Sequence, residues 1–468
     1  MPEIKHLVVL MLENRSFDHM LGWLQSPNYP IDGVDGTQFN LDANNKQVFV
    51  TKDAGYSGDY DPDVAHDFLD VNQQIFGTRN IQPGTQPKPT MAGFVKNYGF
   101  VSGSIDKSHH VMKCFDPQKI PVLTTLAQQY AVCTRWFASI PGPTLPNRAY
   151  AHAATSVGHV DMTINWWKVS KTIYELLVDH GFTAKIYYTD STIALTYGGM
   201  IDRQNEFFVP DFSLFYDDCR NNNLPNYCFL EPRYNATTGD DPIAASDQHP
   251  DHDVAEGETL IHDVYNAIRS NPQTWDSTLL VIVYDEHGGL FDHIPPPATV
   301  SPDNINTSPP NPPFAFDRLG VRVPAILISP YIDAGTIIND RIFDHASLAA
   351  TAQQIFLGEG WRNGGLTARD RQANTFEGVV TRAVARAANE VDITGKHNQA
   401  IQGRTLTMAD RAIQQAAMPL SDHQQALMQV MMSAASLSTA NMTQAQASAF
   451  NAGVKSVIHP PMVKKAGG

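Results

Sequence analysis

The sequence predicts an α/β fold in which helices flank a doubly wound, mostly parallel sheet. The main evidence for this fold is a set of continuously apolar stretches, which are typical of strands buried on both faces of a parallel sheet. These stretches are 7–12, 131–137, 184–189, 278–284 and 323–329. Helical patterns lie between them, and strands that alternate with helices favour a doubly wound sheet over a sandwich or a barrel.

Four of the helical patterns have recognisable ends. The pattern in IPVLTTLAQQYA has Pro121 in its first turn, where a missing backbone N–H costs little. The pattern in KTIYELLVDHGF ends at Gly181, which readily adopts the left-handed conformation of a C-cap. In the segment 253–272 the apolar residues share one helical face, and the pattern in HASLAATAQQIFLG ends at Gly358.

Two loop-rich insertions and a tail complete the predicted organisation. Residues 27–110 and 295–314 are rich in Gly, Pro, Asp and Asn, and long ordered loops of this kind often form lids or site walls. The tail has helical patterns at 408–418, 421–436 and 442–452. We therefore expect a sheet domain over residues 1–395 and a helical C-terminal appendage, residues 396–468, that packs on it.

Composition argues against several classes of function. The formal net charge of the 468 residues is −15, whereas nucleic-acid binding relies on clustered Lys and Arg. No apolar run approaches the roughly 20 residues that span a bilayer, so no transmembrane segment is expected. The first strand pattern begins near residue 5 and leaves no room for a signal peptide. We therefore expect a cytoplasmic protein, unless a signal has been removed or export uses another route.

Polar clusters follow two of the apolar runs. Glu13 and Asn14 come directly after the first run, and Asp285, Glu286 and His287 come after the run 278–284. In a parallel sheet ligands bind beyond the carboxyl ends of the strands. Adjacent carboxylates at such a place repel each other unless a cation offsets them. A solvated acidic loop is the alternative, and two clusters at one sheet edge make it less favoured.

The segment SIPGPTLPNRAYAHAATS contains a third group of candidates. Prolines on both sides fix the path of the chain around Thr144. The threonine could simply form a turn, but a nearby metal ion would lower the pKa of its hydroxyl and make it a nucleophile. Asn147 and Arg148 could orient an anion or brace the loop, and for Arg148 the bracing role is favoured.

Four histidines form the last group: His66, His249, His252 and His287. A single buried histidine is more often a structural hydrogen-bonding residue than a catalyst. Together these side chains could bind phosphate oxygens or protonate a leaving group.

Five motifs, in this order, carry a resemblance to a known family: ENRSFDHMLGW, DPDVAH, WFASIPGPTLPNRAYAHAATS, HPDHDVAEGETLIHDVYNAIR and YDEHGGLFDHIPPP. Over residues 4–360 the chain resembles the phosphoesterase family of bacterial and plant non-specific phospholipases C and related acid phosphatases. The resemblance implies an alkaline phosphatase-like fold and a metal-assisted mechanism with a covalent phosphoryl-enzyme intermediate.

The resemblance also implies a role for individual residues. The implied ligands of a divalent metal ion are Glu13, Asn14, Asp285, Glu286 and Thr144, and the metal could be Ca, Zn, Mg or Mn. The implied catalytic residues are Thr144 as nucleophile with His66, His249, His252 and His287. The implied substrate contacts are Asn14, His66, Asn147 and His249. Related acid phosphatases have a serine at the position of Thr144. In having a threonine there, the chain resembles the plant phospholipases.

The expected activity is phospholipase C cleavage of phospholipids to diacylglycerol and a phosphorylated head group. A broad-specificity acid phosphatase is the main alternative, because it shares the chemistry and differs only in the leaving group. Sulfate ester hydrolysis and a metal-dependent binding module without turnover are further alternatives. The expected partners are a phospholipid or small phosphate ester, with transient contact to a membrane surface.

Overall fold

The computed structural model describes residues 3–57, 60–81, 87–163, 171–238, 240–307, 311–402 and 407–433. The strands are β1 His6–Leu12, β2 Phe39–Leu41, β3 Gln47–Phe49, β4 Ala131–Cys133, β5 Ala184–Tyr187, β6 Phe208–Val209, β7 Tyr227–Leu230, β8 Thr278–Tyr284, β9 Ala325–Ile328 and β10 Thr336–Ile338. The helices are α1 Phe17–Leu21, α2 Phe68–Phe76, α3 Phe94–Ser102, α4 Ile105–Ser108, α5 Pro121–Gln129, α6 Thr144–Ala153, α7 Ile173–Asp179, α8 Gly198–Ile201, α9 Gln204–Phe207, α10 Ser213–Arg220, α11 Val254–Arg269, α12 Pro272–Trp275, α13 Ala346–Leu357, α14 Ala368–Gln372, α15 Thr394–Gln402, α16 Met408–Ala416 and α17 Asp422–Ser433.

Eight strands form one sheet in the order β10-β4-β9-β8-β1-β7-β5-β6. β1 lies near the centre, where Leu10 pairs with Ile282 of β8 and with Leu230 of β7, both in parallel register. Every residue of β8 and all but the first of β1 are buried, as the continuous apolar runs predict.

Two sets of helices cover this sheet. α5, α11 and α15 contact one another, and α6, α7 and α13 form a second mutually packed set. The helix ends follow the sequence signals: Pro121 is the first residue of α5, and Gly181 and Gly358 both have positive φ angles just after α7 and α13. The predicted class, a doubly wound and mostly parallel α/β sheet flanked by helices, is confirmed.

One strand direction was predicted wrongly. β9, from the run 323–329, is antiparallel to both of its neighbours, β4 and β8. A continuous apolar run indicates a strand that is buried on both faces of the sheet. It does not indicate whether the strand is parallel or antiparallel to its neighbours. A parallel connection between adjacent strands needs a crossover, commonly a helix, and the described part of the connection 285–324 contains no α-helix.

The elements also differ in extent from the predictions. The run 131–137 forms a strand only over its first three residues, and its end continues as isolated bridges from Trp136 and Phe137. The loop-rich region 27–110 contains the β2–β3 hairpin and the helices α2 and α3, which enclose a second hydrophobic cluster. β7 was not predicted, because its four residues lie between turn-forming segments.

Three helices lie at or beyond the predicted domain boundary. α15 begins at Thr394 and crosses the boundary between residues 395 and 396, while α16 and α17 match the patterns at 408–418 and 421–436. The pattern at 442–452 and the end of the preceding one lie outside the described residues. The division into two domains therefore stays a prediction. No helix in the described part of the chain is long and apolar enough to cross a bilayer.

A close approach of two backbones joins the ends of β1 and β8. After β8 the chain turns at Gly288, which has a φ of +63°, and a Cβ atom there would overlap the carbonyl oxygen of Asn14. Only glycine combines this backbone conformation with the missing side chain. The turn therefore brings the two polar clusters of the sequence side by side.

We expect Gly288→Ala to destabilise the fold more than Gly335→Ala. Gly335 also has a positive φ, +72°, but no atom lies within 4 Å of its ideal Cβ position, so its substitution tests the conformational cost alone. That cost is about 1–2 kcal/mol, and the overlap at Gly288 adds about 1–3 kcal/mol. Urea unfolding of the two variants measures the difference; equal losses would contradict the close approach.

Candidate active site

The ends of β1 and β8 place four predicted residues together. Because the two strands are parallel neighbours, Glu13 and Asn14 lie beside Asp285 and Glu286 at the carboxyl edge of the sheet. The backbone N–H of Asn14 donates to Asp285 Oδ1 over 3.0 Å. Asn14 has a left-handed φ of +58°, and strained backbone of this kind is common at functional sites. All four side chains are buried.

Thr144 reaches the same place from the N-terminus of α6. It is the first residue of this ten-residue helix, and its Oγ1 hydroxyl donates to Asn14 Oδ1 over 3.2 Å. The side chain is fully buried. The positive end of the helix dipole at α6 favours an anion at this point, although Pro146 has no N–H and the Leu145 N–H donates to Met162 Sδ.

Asn147 braces the loop that leads to Thr144. Its Oδ1 accepts from the Ile140 N–H over 3.0 Å, and its Nδ2 donates to the carbonyl oxygens of Gly142 and Pro143. Both ends of the amide are therefore used within the loop. Its role as a substrate contact stays a prediction.

Arg148 binds two buried carboxylates. Its Nε donates to Asp285 Oδ2 over 2.8 Å and its Nη1 to Glu231 Oε2 over 2.9 Å. A third hydrogen bond goes to the carbonyl oxygen of Leu12, the last residue of β1. This arrangement fixes Asp285 and explains why α6 and the two strand ends keep their relative positions. Glu231, which follows β7, was missed by sequence reasoning.

His66 faces the polar cluster from the loop before α2. Its Nδ1 donates to the carbonyl oxygen of Val64, which leaves Nε2 3.4 Å from Asn14 Nδ2 and 3.7 Å from Glu286 Oε1. Burial lowers the pKa of His66, but the carboxylates of Glu286 and Asp63 outweigh burial and raise it to about 9. These carboxylates therefore favour the protonated form of the ring, which faces the ends of β1 and β8.

The segment 247–252 supplies two more predicted histidines. His249 Nε2 lies 3.4 Å from Asp63 Oδ2, and this carboxylate raises the pKa of His249 well above its usual value despite burial. His252 donates through Nδ1 to Asp247 Oδ1 over 2.6 Å. Asp247 lies two positions before the motif that begins at His249, and it was not among the predicted site residues.

His287 lies on the far side of Glu286 from His66. Its Nε2 is 2.8 Å from Gln74 Oε1, and its Nδ1 is 3.3 Å from Glu286 Oε2. The ring therefore contacts Glu286 on the side away from His66, and it packs nearly at a right angle to the ring of Phe94. Its predicted part in catalysis is untested.

Two trios of acidic and histidine side chains in the described residues have potential ligand atoms within 4.8 Å of one another. They are Asp18, Asp292 and His293, and Asp63, His249 and Asp251. Arg322 pairs with both carboxylates of the first trio and His293 pairs with Asp18, so these carboxylates have their partners within the fold. The predicted ligands Glu13, Asp285 and Glu286 do not form such a trio; they are linked through Asn14 and Thr144.

The electrostatics of the strand ends nevertheless fit a cation. Burial raises the pKa of Glu13 to about 8, with a further increase from Asp247, and burial raises that of Asp285 to about 7 although Arg148 opposes it. Three buried carboxylate oxygens have no hydrogen-bond donor among the described residues: Glu13 Oε2, Asp247 Oδ2 and Glu286 Oε1. Oxygen donors of this kind are the ligands of hard divalent cations. The acidic and histidine groups of the site are therefore compatible with a divalent metal ion.

One contact of the site comes from the C-terminal tail. His423 Nδ1 lies 2.5 Å from Glu13 Oε1. The sequence contains no signal for this contact, since His423 belongs to none of the motifs and 410 positions separate it from Glu13.

The family model and the relatives found by sequence agree on one family. Non-specific phospholipase C3 of Arabidopsis thaliana is 39% identical over 405 residues, which cover 82% of this chain and 74% of that protein. Non-specific phospholipase C6 of the same plant is 41% identical over 392 residues, or 81% and 72% of the two chains. A solved structure of an alkaline phosphatase superfamily protein from Vibrio parahaemolyticus matches with a TM-score of 0.34 and 12% identity, over 81% of this chain and 69% of that one. The model of the Phosphoesterase family matches residues 4–357, and the chain belongs to this family.

Proposed function

We propose that the protein hydrolyses phosphate esters through a covalent phosphothreonine intermediate on Thr144. The observation that carries this proposal is the position of Thr144 Oγ1, at the first residue of α6 and 3.2 Å from Asn14 Oδ1. A hydroxyl at a helix N-terminus lies where the positive end of the helix dipole favours the oxygens of a phosphoryl group. Beside it are carboxylate and amide oxygens that suit a cation.

The metal site of this proposal consists of Glu13, Asn14, Asp285, Glu286 and Thr144. A divalent ion bound there supplies positive charge to the phosphoryl oxygens and lowers the pKa of the threonine hydroxyl. Its identity among Ca, Zn, Mg and Mn is left to experiment. Arg148 maintains the site by holding Asp285 in place.

The remaining groups act on the phosphoryl oxygens and on the leaving alcohol. Thr144 Oγ1 releases its proton to solvent and attacks phosphorus as the bond to the leaving oxygen breaks, so phosphorus keeps its four oxygens. His66 Nε2 lies beside Asn14 and donates a hydrogen bond to a phosphoryl oxygen. His249, on the side of the cluster formed by the segment 247–252, protonates the departing alcohol. Water then hydrolyses the phosphothreonine.

The proposed substrate class is a phospholipid, cleaved to diacylglycerol and a phosphorylated head group. Its support is the family membership together with relatives near 40% identity that are named non-specific phospholipases C. This activity requires transient contact with a membrane surface, where the substrate is found. A phosphomonoesterase would use the same site and would differ from a phospholipase C in its substrate.

The direct test of this function compares three substrates: phosphatidylcholine vesicles, a soluble phosphodiester and a soluble phosphomonoester. We expect the highest kcat/KM for phosphatidylcholine, because the diester is the substrate that the relatives' names indicate. Released phosphocholine and alcohol are measured with the wild-type protein. A higher kcat/KM for the monoester would replace the phospholipase C proposal with the phosphatase.

Thr144→Ala should lower kcat by at least roughly 10⁴-fold, as loss of a nucleophile does in other covalent enzymes. Thr144→Ser should retain turnover, because it keeps the hydroxyl. Mass spectrometry of acid-quenched wild type should find phosphate on the peptide that contains Thr144. The matched control is Thr124→Ala, which removes another buried threonine hydroxyl, on α5; wild-type activity in Thr144→Ala would refute the proposed nucleophile.

Chelation should abolish activity and lower the melting temperature. Without a cation the buried carboxylates of β1 and β8 repel one another, so both the chemistry and the fold lose a favourable interaction. Each of the four candidate metals is then added back separately, and the residual metal content is measured by elemental analysis. Full activity in protein shown to contain no metal would exclude the metal-assisted mechanism.

A further inference from the structure

One histidine reaches the site from the last helix of the described chain. His423 is the second residue of α17, and its ring is almost fully buried against Glu13. The distance of 2.5 Å between His423 Nδ1 and Glu13 Oε1 corresponds to a short hydrogen bond. A carboxylate that binds a cation carries no proton, so the imidazole Nδ1 is the donor. None of the steps proposed above uses this side chain.

Packing fixes the position of the His423 ring. The ring stands edge-on to Tyr234 with 4.4 Å between their centres, and the next residue, Gln424, donates to the carbonyl oxygen of Tyr234. One turn further along α17, Leu427 packs in a small apolar cluster with Leu145, the neighbour of Thr144. The helix is therefore anchored to both sides of the active site.

The preceding helix, α16, anchors the same segment of chain to the loop of the catalytic histidines. Arg411 forms ion pairs with Asp253 over 2.9 Å and with Glu256 over 3.0 Å. Gln415 accepts from the backbone N–H of Ala245. α16 therefore binds the chain just before and just after His249.

The hydrogen bond from His423 determines which carboxylate oxygen of Glu13 remains available to a metal ion. Oε1 accepts from His423, whereas the buried Oε2 has no N–H or hydroxyl donor among the described residues, and the carboxyl group of Asp247 is the other hydrogen-bonding neighbour of Glu13. We propose that His423 is a positioning residue for Glu13: it holds Oε1 and thereby presents Oε2 to the divalent metal ion. This inference rests on the proposed function, which places the metal at Glu13. Hydrogen bonds to metal-ligating carboxylates orient the ligand and commonly contribute tenfold or more to metal affinity.

Two other roles would give the same burial. α17 could cover the site without influencing the metal, in which case the loss of His423 would affect stability alone. Alternatively the ring could bind the metal itself through Nε2, an atom with no hydrogen-bond partner in the described structure. Asparagine and glutamine distinguish these roles, because the amide nitrogen of Asn can take the place of Nδ1 as a donor to Glu13, whereas the amide oxygen of Gln can take the place of Nε2 as a metal ligand.

The experiment titrates metal-stripped, full-length protein with Mn²⁺, Ca²⁺, Mg²⁺ and Zn²⁺ in a calorimeter. The variants are His423→Ala, His423→Asn and His423→Gln. His152→Ala is the matched control, since His152 is also fully buried, packs against a tyrosine and has an unpartnered Nε2, but bonds to Tyr174 instead of Glu13. Melting temperatures are recorded for all variants, so that a loss of stability is separated from a loss of metal affinity.

We expect His423→Ala to weaken binding of the tightest metal by about 10- to 100-fold, His423→Asn to restore much of it, and His152→Ala to leave the Kd unchanged. An unchanged Kd in His423→Ala would refute the positioning role while leaving the metal site intact. If His423→Gln restores the metal affinity and His423→Asn does not, the positioning role is refuted and direct ligation of the metal by His423 is supported. If His423→Ala does not fold, the Asn and Gln variants still decide between the two. A wild type that binds none of the four metals would refute the metal site of the proposed function, and this inference with it.

Discussion

Buried negative charge at the carboxyl edge of the sheet is the constraint around which the other elements of the site are arranged. The carboxylates of Glu13, Asp247, Asp285 and Glu286 all lie in the interior. In a medium of low dielectric constant each of these charges raises the free energy of the others. Arg148 offsets part of this repulsion and His66 another part, from opposite sides of the cluster. The oxygens that remain without a donor are the ones that suit a metal ion.

The buried arginines of the site act within the fold. Arg15 directs two nitrogens to the carbonyl oxygens of Gln248 and His249, so the end of β1 holds the histidine segment in place. Arg148 does the same for the end of β8 through Asp285. The guanidinium groups of Arg15 and Arg148 are therefore occupied by contacts within the protein.

The sequence predicts those parts of the site whose pattern lies within one short stretch of neighbouring residues. A buried strand that ends in carboxylates identifies Glu13 and Asp285, and parallel pairing then brings them together. The direction of β9 had no such signal, because an apolar run records burial and not orientation. Glu231 follows a strand too short to stand out, and Asp247 was overlooked beside His249. The contact of His423 with Glu13 joins distant positions that no periodicity connects.

The place of β1 in the sheet has a consequence for synthesis of the protein. β1 leaves the ribosome well before both of its partners, β7 and β8, which come more than 200 residues later. At about 5–20 residues per second, the last of them is translated on the order of ten to fifty seconds afterwards. During this interval a strongly apolar strand has two unpaired edges, which is the condition that favours aggregation. The nascent chain therefore carries an unpaired apolar strand through a large part of its synthesis.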